Sequence, residues 1–115
     1  MPNPVVHFEI LGKDGKKAQQ YYQSLFDWKI DANNPMAYGL VHNDGEGIDG
    51  GVAQAEQGGP TVMFYVQVDD PQKYLDRAIA LGGKLVMPVT EVPGMVTMCQ
   101  FADPDGNVIG IVKAM

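Results

Sequence analysis

Two titratable side chains, His7 and Glu9, stand two residues apart inside the run Val5 to Leu11 (V-V-H-F-E-I-L). In an extended strand that spacing puts both on one face, opposite Val6, Phe8 and Ile10. A carboxylate so placed can orient an imidazole and raise its basicity, so these two are the natural acid–base candidates. A second run, Val62 to Val68 (V-M-F-Y-V-Q-V), alternates in the same way and aligns Met63, Tyr65 and Gln67. Burying polar groups unpaired costs roughly 1–3 kcal/mol each. A ligand cavity explains why two sheet faces would carry His, Glu, Tyr and Gln together. The plainer alternative is a solvated groove with a His7–Glu9 pair. For His7 the two readings weigh equally, and for Glu9 the structural one weighs more.

Other side chains are weighed beside these. Tyr38 could wall the same pocket, and Met63 and Met98 could give it an adaptable apolar lining. His42, beside Asn43 and Asp44, reads as a surface residue near a turn. The segment Asp103 to Asn107 (D-P-D-G-N) lacks the roughly 12-residue ligand spread and closing glutamate of a calcium loop, and reads as a hairpin turn. Gly12, Gly15 and Gly50–Gly51 do not form a phosphate loop, since no Lys-Ser/Thr pair ends the arrangement. Cys99 lies inside an apolar run and reads as a buried, inert thiol.

The elements that must hold these residues follow from periodicity. After the strand Val5 to Leu11, Asp14 caps a helix over Lys16 to Phe26, with Ala18, Tyr21, Tyr22, Leu25 and Phe26 on its apolar stripe. Strands are predicted at Trp28–Ile30, Met36–His42 and Ile48–Gln54. Glu56 to Pro60 (E-Q-G-G-P) is the one linker-like segment. The order then begins again: strand Val62–Val68, cap Asp70, Pro71 at the first helical position, a stripe of Tyr74, Leu75, Ala78, Ile79 and Leu81, and Gly82–Gly83 as terminator. Strands at Lys84–Val89, Val96–Phe101 and Asn107–Val112 complete it.

Composition bounds the function. At 115 residues the chain is one domain by size, with 45% hydrophobic residues and a formal charge of −6. No basic cluster exceeds Lys16–Lys17, so a phosphate backbone has no patch to bind and nucleic acid is not expected. No apolar run approaches the roughly 20 residues of a spanning helix, and the opening residues lack a signal-peptide pattern. The expected compartment is the cytoplasm.

A shift of 56 residues lays His7 on Met63, Phe8 on Phe64, Ile10 on Val66 and Asp14 on Asp70. The same shift lays Gly50–Gln54 on Gly106–Gly110. Polarity, caps and element order agree, which marks an internal repeat. The chain therefore reads as a single α+β domain of two modules, about 1–56 and 61–115.

These residues resemble a known superfamily. His7-Phe8-Glu9-Ile10, Tyr22 with Phe26-Asp27-Trp28, Leu81-Gly82-Gly83-Lys84, Val92-Pro93-Gly94 and Phe101-Ala102-Asp103-Pro104-Asp105-Gly106-Asn107 together look like the glyoxalase/bleomycin-resistance/extradiol-dioxygenase group, the vicinal oxygen chelate superfamily. The resemblance implies two βαβββ modules forming a cupped mixed sheet around a cavity, and a homodimer. It also implies one metal-ligand position on the first and last strand of each module, carried over here as His7, Gln54, Met63 and Gly110. Imidazole suits a divalent ion, an amide weakly so and a thioether poorly, while glycine offers no side chain. The expectation is a small-molecule binder without that metal or any other cofactor, contacting its ligand through His7, Glu9, Tyr38, Gln54, Met63, Tyr65, Gln67 and Met98. The acidic surface would favour a cationic ligand. The alternative is a lyase, isomerase or dioxygenase with an altered metal site centred on His7.

Overall fold

The computed structural model describes residues 2–56, 59–94 and 96–114. The first module runs β1 (Val5–Gly12), α1 (Gly15–Phe26), β2 (Ile30–Asp31), β3 (Gly39–Val41) and β4 (Asp49–Gln54), with strands ordered β2-β3-β4-β1. The second runs β5 (Thr61–Val68), α2 (Pro71–Ala80), β6 (Lys84–Val92), β7 (Val96–Ala102) and β8 (Val108–Lys113), ordered β5-β8-β7-β6. In both modules the opening strand pairs in parallel with the last one, and the remaining pairs are antiparallel. The predicted α+β class and βαβββ repeat are what the chain adopts. Two compact units result, Val6–Met63 and Phe64–Met115, the latter also holding the residues ahead of Val6. Pro4 belongs there because its carbonyl accepts from the Gln67 amide at 2.8 Å. The division between these compact units falls inside β5, and Gln57 and Gly58 of the linker-like segment lie outside the described residues.

Both helices start as their sequences demand. Asp14 accepts from the Lys17 amide and Asp70 from the Lys73 amide, each at 3.2 Å, satisfying a helix-end donor that would otherwise be orphaned. The strands differ from expectation in three places. Trp28 leaves the strand to join an aromatic cluster, so β2 is only Ile30–Asp31. The strand predicted from Met36 begins at Gly39, because Asn34 folds the chain back: its Oδ1 accepts from Met36 and Tyr38 amides and its Nδ2 donates to the Tyr38 carbonyl. Ala37 turns there at φ 52°. β6 runs past Val89 to Val92, with register shifts near Pro88, which an edge strand tolerates because no ladder donor is missed.

Packing follows the alternation. On the helix side of the first module Phe8 lies 5.2 Å from Trp28, which in turn stacks on Tyr22 and meets Phe26. On the helix side of the second module Val68, Leu75, Cys99 and Ile111 form the buried core, flanked by Val66, Tyr74, Val89 and Phe101. Burial raises the Cys99 thiol to about 11, consistent with an inert core residue.

The pairing also corrects the repeat. Glu9 and Tyr65 are 56 positions apart, whereas their strand partners Gly51 and Gly110 are 59 apart. The second module carries three extra residues before its last strand. Gly51, not Gln54, is the counterpart of Gly110.

Candidate functional site

The face of the first module opposite α1 gathers His7, Tyr38 and Glu9. The Tyr38 hydroxyl donates to Glu9 Oε2 at 2.9 Å and lies 2.8 Å from His7 Nε2. A phenol has one proton, so with that proton given to Glu9 its oxygen accepts from His7 Nε2–H. The basic nitrogen of the imidazole is then Nδ1. Glu9 is the buried charged residue among the described ones, at 8% exposure. Burial pushes the His7 pKa below its ordinary 6.5, and the Asp49 carboxylate, on the neighbouring strand at the His7 register position, offsets part of that. The imidazole is therefore neutral at pH 7.

Tyr38 reaches this position because Gly51 has no side chain. A Cβ on Gly51 would fall within the phenol itself, against its Oη and Cζ atoms. The second module repeats the device: the Tyr65 ring lies over Gly110, where a Cβ would meet Cδ2 and Cε2. There the Tyr65 hydroxyl accepts from Gln100 Nε2 at 2.9 Å. Tyr65 and Met63 are buried, while Gln67 and Met98 are half-buried.

The structure thus joins His7, Glu9 and Tyr38, and sets Tyr65 beside Gln100 on its own module. It does not place Gln54 with either group. Gly50, Val52 and Gln54 alternate onto the helix side of β4, where Gln54 Oε1 accepts from the Gly15 amide at 2.7 Å and Nε2 donates to the Lys13 carbonyl at 2.5 Å. Gln54 is a clamp on the loop entering α1, and its assignment as a ligand position is corrected. Sequence reasoning missed Gly51, Asp49 and Gln100. Gln100 follows from alternation with Met98; the other two needed the register. His42 is a surface residue as expected, 62% exposed and 3.9 Å from Asp49.

The match to known proteins agrees with this architecture. Residues 5–111 match the family described as Glyoxalase/Bleomycin resistance protein/Dioxygenase superfamily. The chain belongs to this superfamily. A curated relative, "Putative glyoxylase CFP32" of Mycobacterium tuberculosis and Mycobacterium bovis, is 29% identical over 111 residues, 88% of this chain. The chain spans only 42% of that relative's length. Among solved structures, methylmalonyl-CoA epimerase from Mycobacterium tuberculosis superposes with TM-score 0.65 at 16% identity, over 96% of this chain and 87% of the other. The Mn(II)-bound glyoxalase from Novosphingobium aromaticivorans gives TM-score 0.65 at 15% identity, over 97% of this chain and 40% of that one. At such identities the structural matches establish the fold.

The superfamily's metal does not fit the residues present. By register the four positions are His7 and Gly51 in the first module, Met63 and Gly110 in the second. One imidazole is offered, one thioether is a poor donor to a hard or borderline ion, and each glycine lies beneath a tyrosine ring. Among the described residues no group of three or more His, Cys, Asp or Glu could hold a metal ion.

Proposed function

We propose that this chain binds a small molecule on the polar face of its first module, through His7, Tyr38 and Glu9 and without the superfamily's divalent ion. The observation that carries the reading is the hydrogen-bonded row from imidazole through phenol to a buried carboxyl group. Small-ligand sites generally combine a few convergent polar groups with apolar walls, and a row fixed before binding loses little entropy on contact. A neutral imidazole and a carboxyl group suit a ligand rich in hydrogen-bond donors, and the net charge of −6 favours a cation over an anion. Membership of a superfamily whose solved neighbours include an epimerase and a glyoxalase supports a small-molecule role.

Native mass spectrometry of freshly purified protein, paired with elemental analysis, tests this. The expected spectrum shows no stoichiometric metal and a discrete small-molecule adduct that His7→Ala loses. One equivalent of zinc, nickel, iron or manganese per chain, abolished by His7→Ala, would refute the metal-free reading. A bare mass, with His7 resonances unmoved by any member of a panel of small amines and neutral metabolites, would refute binding at this face.

A second reading keeps the same residues and makes them catalytic. The Tyr38 hydroxyl touches both titratable groups, so it could pass a proton between them while Nδ1 of His7 acts on a substrate. The relative named a glyoxylase favours it. Its mark would be a turnover that Tyr38→Phe lowers while substrate binding persists.

A further inference from the structure

The two modules solve the space between helix and sheet differently. In the first, Tyr22 and Phe26 from α1 close on Trp28, and Phe8 joins them because its ring lies over Gly50, which has no Cβ to hinder it. The helix caps Asp14 and Asp70 fix the correspondence between α1 and α2. Across it, Tyr22 becomes Ala78, Phe26 becomes Gly82 and Trp28 becomes Lys84, so three rings are missing from the second module. The β8 counterpart of Gly50 is Ile109, which denies Phe64 the position that Phe8 holds. Phe64 stays 39% exposed.

What those rings fill in one module is open in the other. The second module has a cavity of about 410 Å³ along its α2 seam, floored by Val66, Val68, Ile109 and Ile111 and flanked by Tyr74 and Phe101. That volume falls within the roughly 300–1,000 Å³ of small-molecule pockets. Its walls are almost wholly apolar. Two charged residues reach the rim, Arg77 and Asp103. Asp103 is committed to its own turn, accepting from the Asp105 and Asn107 amides and from Asn107 Nδ2, which holds its carboxyl below the usual range. Arg77, exposed in the last turn of α2, makes no ion pair within 4.0 Å among the described residues. The rim therefore offers one uncommitted group, a guanidinium.

We propose that this seam is a second ligand site, separate from the His7 face, for a small aromatic acid. Its ring would take the space that Tyr22, Phe26 and Trp28 occupy in the first module, and its acid group would meet Arg77. Stacking against Tyr74 and Phe101 favours a ring over an alkyl chain, and the guanidinium fork favours carboxylate or sulfonate over an amine.

The probe is 8-anilinonaphthalene-1-sulfonate, titrated into folded protein at neutral pH by fluorescence and by amide and methyl NMR. Saturable one-to-one binding is expected, with shifts at Val66, Leu81, Ile109 and Ile111 and none at His7. Arg77→Gln should weaken it by about tenfold, the scale of a lost charge-assisted hydrogen bond. Ala78→Tyr, which restores the first module's residue, should abolish it. Shift mapping on the unmodified chain decides the matter alone should that variant fold poorly. Shifts confined to the His7 face, or equal affinity in wild type and Arg77→Gln, overturn the proposal. Seam resonances that move with protein concentration and not with probe also overturn it, because a second copy then covers the groove. Shifts confined to the His7 face would at the same time support binding there, whereas the other outcomes leave the His7 reading untouched.

Discussion

Replacing Gly51 with alanine tests the central geometric claim, that Tyr38 stands where a side chain on β4 would otherwise project. The added Cβ falls inside the phenol, and β4 cannot retreat while paired on both sides with β1 and β3. The ring must therefore swing out. It gives up the contact with His7 at 2.8 Å and that with Glu9 at 2.9 Å. A net hydrogen bond contributes about 1 kcal/mol, so losing both costs about 2 kcal/mol. That overlaps the usual overpacking cost of about 1–3 kcal/mol. For a domain of this size the melting temperature should fall by about 8–16 °C. The assay is thermal unfolding by circular dichroism of wild type, Gly51→Ala, Tyr38→Ala and the double variant. With the ring gone, the extra methyl has room, so Gly51→Ala should cost less than about 0.5 kcal/mol in the Tyr38→Ala background. Additive losses across the cycle would refute the reasoning.

His7 supplies a pH prediction. Its folded pKa lies below the unfolded value of 6.5 because burial disfavours the imidazolium. Between the two values the unfolded chain binds more protons, so stability rises with pH there and its His7 contribution is full above about 6.5. It should decline as pH falls from 6.5 through the folded pKa, and His7→Gln should flatten that limb. Asp49→Asn should lower the His7 pKa further, read from the imidazole proton shifts; an upward move would contradict the assigned field. Gln54→Ala should destabilise by about 1–2 kcal/mol, through two lost hydrogen bonds, and leave the His7 resonances unchanged. An unchanged melting temperature with shifted His7 resonances would return Gln54 to the site.

The architecture was legible because its signals are local and repeated. Asp14 and Asp70 announce their helices, Pro71 marks a first turn, and the alternation in β1 and β5 separates helix-facing Phe8, Val66 and Val68 from His7, Glu9 and Tyr65. Tyr38 was harder, since its strand is short and its place depends on Asn34 turning the chain. Misplacing Gln54 had one cause. A constant 56-residue shift holds for β1, α1 and their counterparts but fails at β4, where pairing requires 59. Three residues change the parity of a strand, and changed parity moves a side chain to the opposite face.

The same parity explains why the site is hard to see in sequence. At Gly51 and Gly110 the informative feature is a missing side chain, and a glycine in a strand is equally compatible with a bulge, a bend or a close approach. Only the ring that fills the space says which applies. In both modules it is a tyrosine, and it comes from different places: Tyr38 from ahead of β3, Tyr65 from β5, the strand paired with β8. Two sources for one solution mean that the glycine, not the tyrosine, is what the repeat preserves. A carboxylate at either glycine would need its ring displaced first. Placing a carboxylate at both positions therefore takes paired changes, Gly51→Glu with a small residue at 38 and Gly110→Glu with one at 65, and no single substitution provides it.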